Sequence, residues 1–223
     1  MKRLLCLAFV AISFLAAAAP AAEPLTAPQR AELLGRLQAL HAKHPSFQAA
    51  FSEQRTSSLL KKPLISTGRI AFEIPNKFRR EVTGANPSLT LSNGRELWLY
   101  YPNFQEAQQY TRGNRKFDEI LDSLTDALNF TQVEEKYQLE ATPEGDGGYR
   151  LVLTPKRSML KRIIAQLTVT LDKDLNVRCT DLVLLKGDHV VTTYSALRRE
   201  ALPPATFEFA PPPGTNISRP MGK

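Results

Sequence analysis

Apolar residues first recur with a helical period in residues 28–43, where Leu33, Leu34, Leu37 and Leu40 fall on one side. That spacing predicts an amphipathic helix. Thr26 is placed to cap it, Pro28 suits its first turn, and His44-Pro45 ends it. From there the period is two. Phe47, Ala49 and Phe51 alternate with Gln48, Ala50 and Ser52, and polar residues then run on to Ser58. Gly68, Ile70, Phe72 and Ile74 alternate with Arg69, Ala71 and Glu73. Short strands are expected at 78–83 and 89–92, and Asn93-Gly94 is the strongest hairpin signal in the chain. Strands at 96–101 and 106–110 follow, then a second helix over 116–129 with Phe117, Ile120, Leu121, Leu124 and Leu128 on one side.

Beyond that helix the period returns to two. Strands are expected at 137–142, 149–154, 163–171, 177–184 and 189–197, separated by Gly- and Asp-rich turns. Phe207-Glu208-Phe209 reads as a last short strand before Pro211-Pro212-Pro213-Gly214. Ten or so strands at hairpin spacing imply one antiparallel sheet, and two helices are too few to cover both faces of a parallel one. A sheet this wide must curl. The expected fold class is therefore mainly β (α+β): a strongly curved antiparallel sheet forming an incomplete β-barrel, with helices closing it over an apolar hollow.

The first 21 residues change the picture of the whole. Met1-Lys2-Arg3 is basic, Leu4 to Leu15 is apolar but too short to span a bilayer, and Ala19-Pro20-Ala21 offers a cleavage site. Residues 1–21 are expected to be a signal peptide and 22–223 one domain, exported to the periplasm and soluble there. Cys6 would leave with the signal, so Cys179 could form no internal disulfide. Losing Lys2 and Arg3 lowers the formal charge from +7 to +5. Mild basicity favours anionic head groups or acidic partners.

Candidate chemistry is sparse. The 223 residues hold no phosphate loop, dinucleotide fingerprint, nucleophile elbow or zinc-protease helix. His41 and His44 sit at a helix end, His189 beside a turn, and Cys179 stands alone, so no metal-ligand set forms. Glu134-Glu135 and the Asp172/Asp174 pair lie in a connector and a turn, and read as solvated structure. Asn129-Phe130-Thr131 and Asn216-Ile217-Ser218 match the glycosylation pattern but also read as turns. No catalytic residue, metal or cofactor is expected, nor an enzyme or a nucleic-acid partner. Trp98 could line a ligand cavity or pack in the core.

The chain resembles the periplasmic outer-membrane lipoprotein carrier family, LolA, of Gram-negative bacteria. The resemblance rests on Phe47-x3-Phe51-x2-Gln54, Gly68-Arg69-Ile70-x-Phe72-x2-Pro75-x2-Phe78 and Leu91-Ser92-Asn93-Gly94-x2-Leu97-Trp98-x-Tyr100-x-Pro102. Leu153-Thr154-Pro155-Lys156 and Phe207-x-Phe209-x-Pro211-Pro212-x-Gly214 complete it, in family order, from about residue 29 to 217. It implies a monomeric carrier that takes an acylated lipoprotein from an inner-membrane ABC transporter and passes it to an outer-membrane acceptor. Other amphiphiles, such as a glycolipid or polyene lipid, and a lipid-sensing role remain alternatives. Phe47, Phe51, Ile70, Phe72, Leu91, Leu97 and Leu99 are the expected cavity residues; Ile74, Phe78 and Arg79 are expected at the mouth, where partners dock. Many relatives carry Arg before the proline, latching the empty cavity; here that position is Ile74.

Overall fold

The computed structural model describes residues 22–113, 118, 130 and 132–220. The expected signal peptide, the expected helix over 116–129 and the Asn129-Phe130-Thr131 pattern lie outside the described residues, save Asp118 and Phe130. Helix α1 spans Ala27–Lys43. The side-chain oxygen of Gln29 accepts from the Thr26 N–H at 2.9 Å, so part of the helix start is satisfied locally. Its apolar side buries Leu33, Leu34 and Leu37.

Among the described residues, twelve strands follow in one sheet. Strands β1 (Ser46–Thr56), β2 (Leu64–Glu73), β3 (Lys77–Thr83), β4 (Ser88–Asn93), β5 (Glu96–Tyr101) and β6 (Glu106–Thr111) form one meander. A one-turn helix α2 (Val133–Lys136) leads into β7 (Tyr137–Pro143) and β8 (Tyr149–Pro155). A second short turn, α3 (Ser158–Lys161), precedes β9 (Ile164–Leu171), β10 (Val177–Leu184) and β11 (His189–Arg198). The last strand is β12 (Asn216–Ser218). The order is β12-β6-β5-β4-β3-β2-β1-β11-β10-β9-β8-β7, so β1 and β11 join two meanders and the edges β12 and β7 do not meet. The sheet is open: the incomplete-barrel, mainly β class expected from strand spacing. Register shifts in the β1–β11 and β9–β10 pairs add local bending.

Two details depart from the sequence reading. Phe207-Glu208-Phe209 is not a strand; residues 204–207 form a 3-10 turn. Pro203 and Pro204 bring no N–H to a ladder, so this stretch packs by its side chains instead. Asn216–Ser218, read as a turn, pairs parallel with the start of β6.

Two hydrophobic clusters lie on opposite faces of the sheet, one in each half. Under α1, Leu33, Leu34 and Leu37 pack on Leu139, Leu151, Leu153, Val169 and Leu171 of β7 to β9. On β4 to β6 a second cluster holds Leu89, Leu91, Trp98 and Ala107, with Phe209 of the C-terminal segment against it. Paired residues of neighbouring strands share a face. Val169 pairs with Thr180, Thr180 with Thr192, and Thr192 with Glu53, which carries the α1 face across to β1. Continuing through β2, β3 and β4 puts Leu91 and Trp98 on the reverse face. The C-terminal segment therefore covers one face of one half, while α1 covers the opposite face of the other.

Candidate functional site: the helix-bearing face of β1 to β5

Alternation in β1 directs Phe47, Ala49, Phe51 and Glu53 to the α1 face, because Glu53 pairs with Thr192 of that face. Cross-strand pairing then adds Phe72 opposite Phe47, Ile70 opposite Ala49, and Gly68 opposite Phe51. Phe78 sits opposite Phe72 and Arg80 opposite Ile70. Through Ser92 and Thr90 the same face reaches Leu97 and Leu99. Six of the seven residues expected to line a cavity thus share one face, and Phe78 joins them near the β2–β3 turn.

The face is held in place by close aromatic packing. The Phe47 and Phe72 rings stack with centroids 5.4 Å apart, and Phe72 is almost wholly buried. Phe51 lies over Gly68, where an added Cβ would stand 2.8 Å from the ring Cζ and 1.8 Å from the Glu81 carbonyl oxygen. Only glycine leaves room there for both the ladder and the ring. Phe47, Ile70, Phe78, Leu97 and Leu99 are half-buried, which leaves apolar surface on this side of the sheet.

Leu91, Arg79 and Trp98 stand elsewhere, on the reverse face, whereas Ile74 lies beside Phe78 at the β2–β3 turn. Leu91 pairs with Arg79 and Trp98 on the reverse face and is fully buried, so it belongs to the outer cluster and not to the α1 face. Arg79 also points outward. Its Nε donates to Glu81 at 2.6 Å, and one Nη reaches the carbonyl oxygens of Thr206 at 3.3 Å and Glu208 at 3.4 Å. It ties down the C-terminal segment. Ile74 lies in the β2–β3 turn, its N–H donating to the Pro45 carbonyl at 2.9 Å. Trp98 is core: its ring meets Phe209 edge-on at 5.6 Å. Arg79→Ala should therefore speed amide exchange at residues 206–209 and lower stability by about 1–3 kcal/mol, read by urea unfolding. Unchanged exchange there would show that the segment holds without the guanidinium.

A polar group on the α1 face escaped the sequence reading. Arg80 donates to the Glu53 carboxylate at 2.7 Å, and the Thr192 hydroxyl donates to the same oxygen at 3.2 Å. The Arg80 guanidinium also lies 4.6 Å from the Phe51 ring centroid, a cation–π contact. Beside it the Tyr194 hydroxyl, 3.3 Å from that of Thr180, has its pKa pushed up by burial. The signal was present in the alternation: extending Phe47, Ala49, Phe51 by one step reaches Glu53. A charge-compensated guanidinium with further N–H groups can hydrogen-bond an ester or amide oxygen at the edge of an apolar surface. Cys179 lies on the reverse face beside Thr193, its paired residue, and burial raises its thiol pKa, the opposite of a nucleophile's need.

The family model described as "Outer membrane lipoprotein carrier protein LolA" matches residues 42–210. The outer-membrane lipoprotein carrier protein of Dechloromonas aromatica is 29% identical over 177 residues, covering 77% of this chain and 80% of that protein. That of Chromobacterium violaceum is 28% identical over 204 residues, covering 90% and 94%. A solved structure of an uncharacterized conserved protein from Thermus thermophilus superposes with a TM-score of 0.52 at 14% identity, covering 86% of this chain and 99% of that one. That likeness is one of fold.

Proposed function

Because the chain belongs to the outer-membrane lipoprotein carrier family, LolA, we propose that it shields lipoprotein acyl chains on its α1-bearing face and carries them from inner to outer membrane. The observation that carries this reading is the gathering of Phe47, Phe51, Ile70, Phe72, Leu97 and Leu99 on one face of an open sheet. Exposing an acyl chain costs about 0.8 kcal/mol per methylene, on the order of 12 kcal/mol for ~15 carbons. A carrier offsets that cost with apolar surface and needs neither catalysis nor a cofactor. An open sheet can give way to its cargo more easily than a closed, fully packed barrel.

Residues 1–21 fit this role as an export signal, which gives a periplasmic domain beginning at Ala22. An inner-membrane ABC transporter would load it and an outer-membrane acceptor would empty it, each acting on the monomer near Ile74 and Phe78 at the β2–β3 turn. The test is a photo-crosslinking amino acid introduced in vivo at Leu99 or at Leu91, followed by mass spectrometry of the exported protein and its adducts. Acylated lipoprotein should be captured from position 99 and not from 91, on a chain beginning near Ala22 without attached fatty acid. A glycolipid captured at 99 would replace lipoprotein as the cargo. Capture from 91 alone, or from neither position, would sink the assignment of this face.

A further inference from the structure

The exposed large apolar side chains are not scattered. All nine among the described residues stand at one end of the sheet, the end opposite Ile74 and the β2–β3 turn. Six form one group. Leu59 and Leu60 occupy the β1–β2 loop, Leu64 and Ile65 open β2, Ile163 precedes β9, and Leu185 follows β10. β1 pairs with both β2 and β11, which brings the β1–β2 loop beside the β10–β11 turn. Leu59, Ile163, Leu184 and Lys186 line one cleft of about 620 Å3, and the Leu185 N–H donates to the Ile163 carbonyl at 2.9 Å. Leu59 is 91% exposed, so folding gains almost nothing from it. Single exposed apolar residues need no explanation, but a contiguous group rimmed by polar residues marks an interaction surface. Tyr101, Phe104 and Ile217 continue the same end toward the β12 edge.

Charge says what the surface meets. Segments 57–65, 157–163 and 184–188 carry Lys61, Lys62, Arg157, Lys161, Arg162 and Lys186 against one acid, Asp188. That acid is already paired with Arg55. The β7–β8 and β9–β10 turns, at the other end of the same sheet, carry Glu144, Asp146, Asp172 and Asp174 against Lys173. The exposed apolar group is thus set among cations, while acids outnumber cations in the β7–β8 and β9–β10 turns opposite. Leucine and isoleucine projecting among lysines and arginines is the composition of an interfacial membrane contact: the apolar tips enter the acyl boundary while the cations stay with anionic head groups.

We propose that this end of the fold docks directly on an anionic phospholipid bilayer, with Leu59 and Leu60 inserted at its surface and Lys61, Lys62, Arg162 and Lys186 on the lipid phosphates. Docking this way orients the chain with the β1–β2 loop down. The inference does not depend on which cargo the α1 face holds.

Flotation of the protein with vesicles of phosphatidylethanolamine and phosphatidylglycerol, against vesicles of phosphatidylcholine, tests it. The parent should float with the anionic vesicles and hardly at all with the neutral ones. Binding should weaken steeply as salt rises from about 0.1 to about 1 M, where the Debye length falls to about 3 Å. Lys61→Ser with Lys62→Ser should weaken binding about thirtyfold, the loss of two surface cations. Leu59→Ser with Leu60→Ser should weaken it about tenfold or more, without changing thermal unfolding or hydrophobic-probe affinity. A Leu59→Trp variant should shift its emission to the blue on binding and be quenched by brominated lipid. No flotation of the parent with anionic vesicles would overturn the proposal, as would an unquenched Trp at 59. Binding indifferent to the leucine pair would do the same, and would leave the patch to a protein partner.

Discussion

Leu99→Glu should cost at least about a hundredfold in affinity for a fluorescent acyl probe at neutral pH while leaving the protein folded. Leu99 is half-buried on β5, opposite Thr90 and Gln108, so a longer polar side chain there can still reach water when the face is empty. Cargo removes that water. An ionised carboxylate against an acyl chain then loses its hydration while its cross-strand neighbours, Thr90 and Gln108, bring no charge, a penalty of several kcal/mol, and about 2.7 kcal/mol already corresponds to a hundredfold. The sign of the pH dependence follows. Bound cargo favours the neutral acid, so the carboxyl pKa rises above its ordinary ~4.3 in the complex, and affinity should recover as pH falls toward that range. Leu99→Met should bind like the parent. Parent-like affinity for Leu99→Glu at neutral pH would remove the β5 part of the face from the carrier role.

The complementary result is expected at Leu91. Leu91→Ala should lower unfolding stability by about 2–5 kcal/mol, the cost of emptying a fully buried leucine site, and leave probe affinity of the folded protein within about twofold. Trp98 is the only tryptophan and pairs directly with Leu91, so its fluorescence reports urea unfolding from within the affected cluster. A Leu91→Ala protein that unfolds like the parent but loses probe binding would place Leu91 on the cargo face, against its pairing.

The contrast between Leu91 and Leu99 shows how far the sequence could be read. The strand Glu96 to Tyr101 is apolar at both parities, Leu97 and Leu99 on one and Trp98 and Tyr100 on the other, so alternation alone names no inner face. Yet the hairpin at Asn93-Gly94 held the missing information. A two-residue turn pairs odd-numbered residues with even-numbered ones, so Leu91 must go with an even partner and not with Leu97 or Leu99. The turn residues are in fact Gly94 and Arg95, one place further on, and the ladder pairs Leu91 with Trp98 and Ser92 with Leu97, so the parity held while the register moved. Glu53 was legible by the same logic, one step beyond Phe51. Arg79 was not, because its role depends on carbonyls more than a hundred residues away.

What the sequence determined by itself is local. The period of Leu33, Leu34 and Leu37 set α1, the period of two set the strands, and turn residues such as Gly94, at φ +87°, set where hairpins close. These follow from backbone sterics and burial within a few residues. Which face each side chain finally meets was decided by contacts between distant segments. β1 pairs with β11 some 140 residues on, and β6 recruits residues 216–218. The proline-rich tail then lies over the reverse face, where Phe209 meets Trp98 and Tyr100. That tail explains why the Trp98 and Tyr100 side of β5 is apolar, while Leu97 and Leu99 belong to the α1 face, a division that a one-dimensional pattern cannot show.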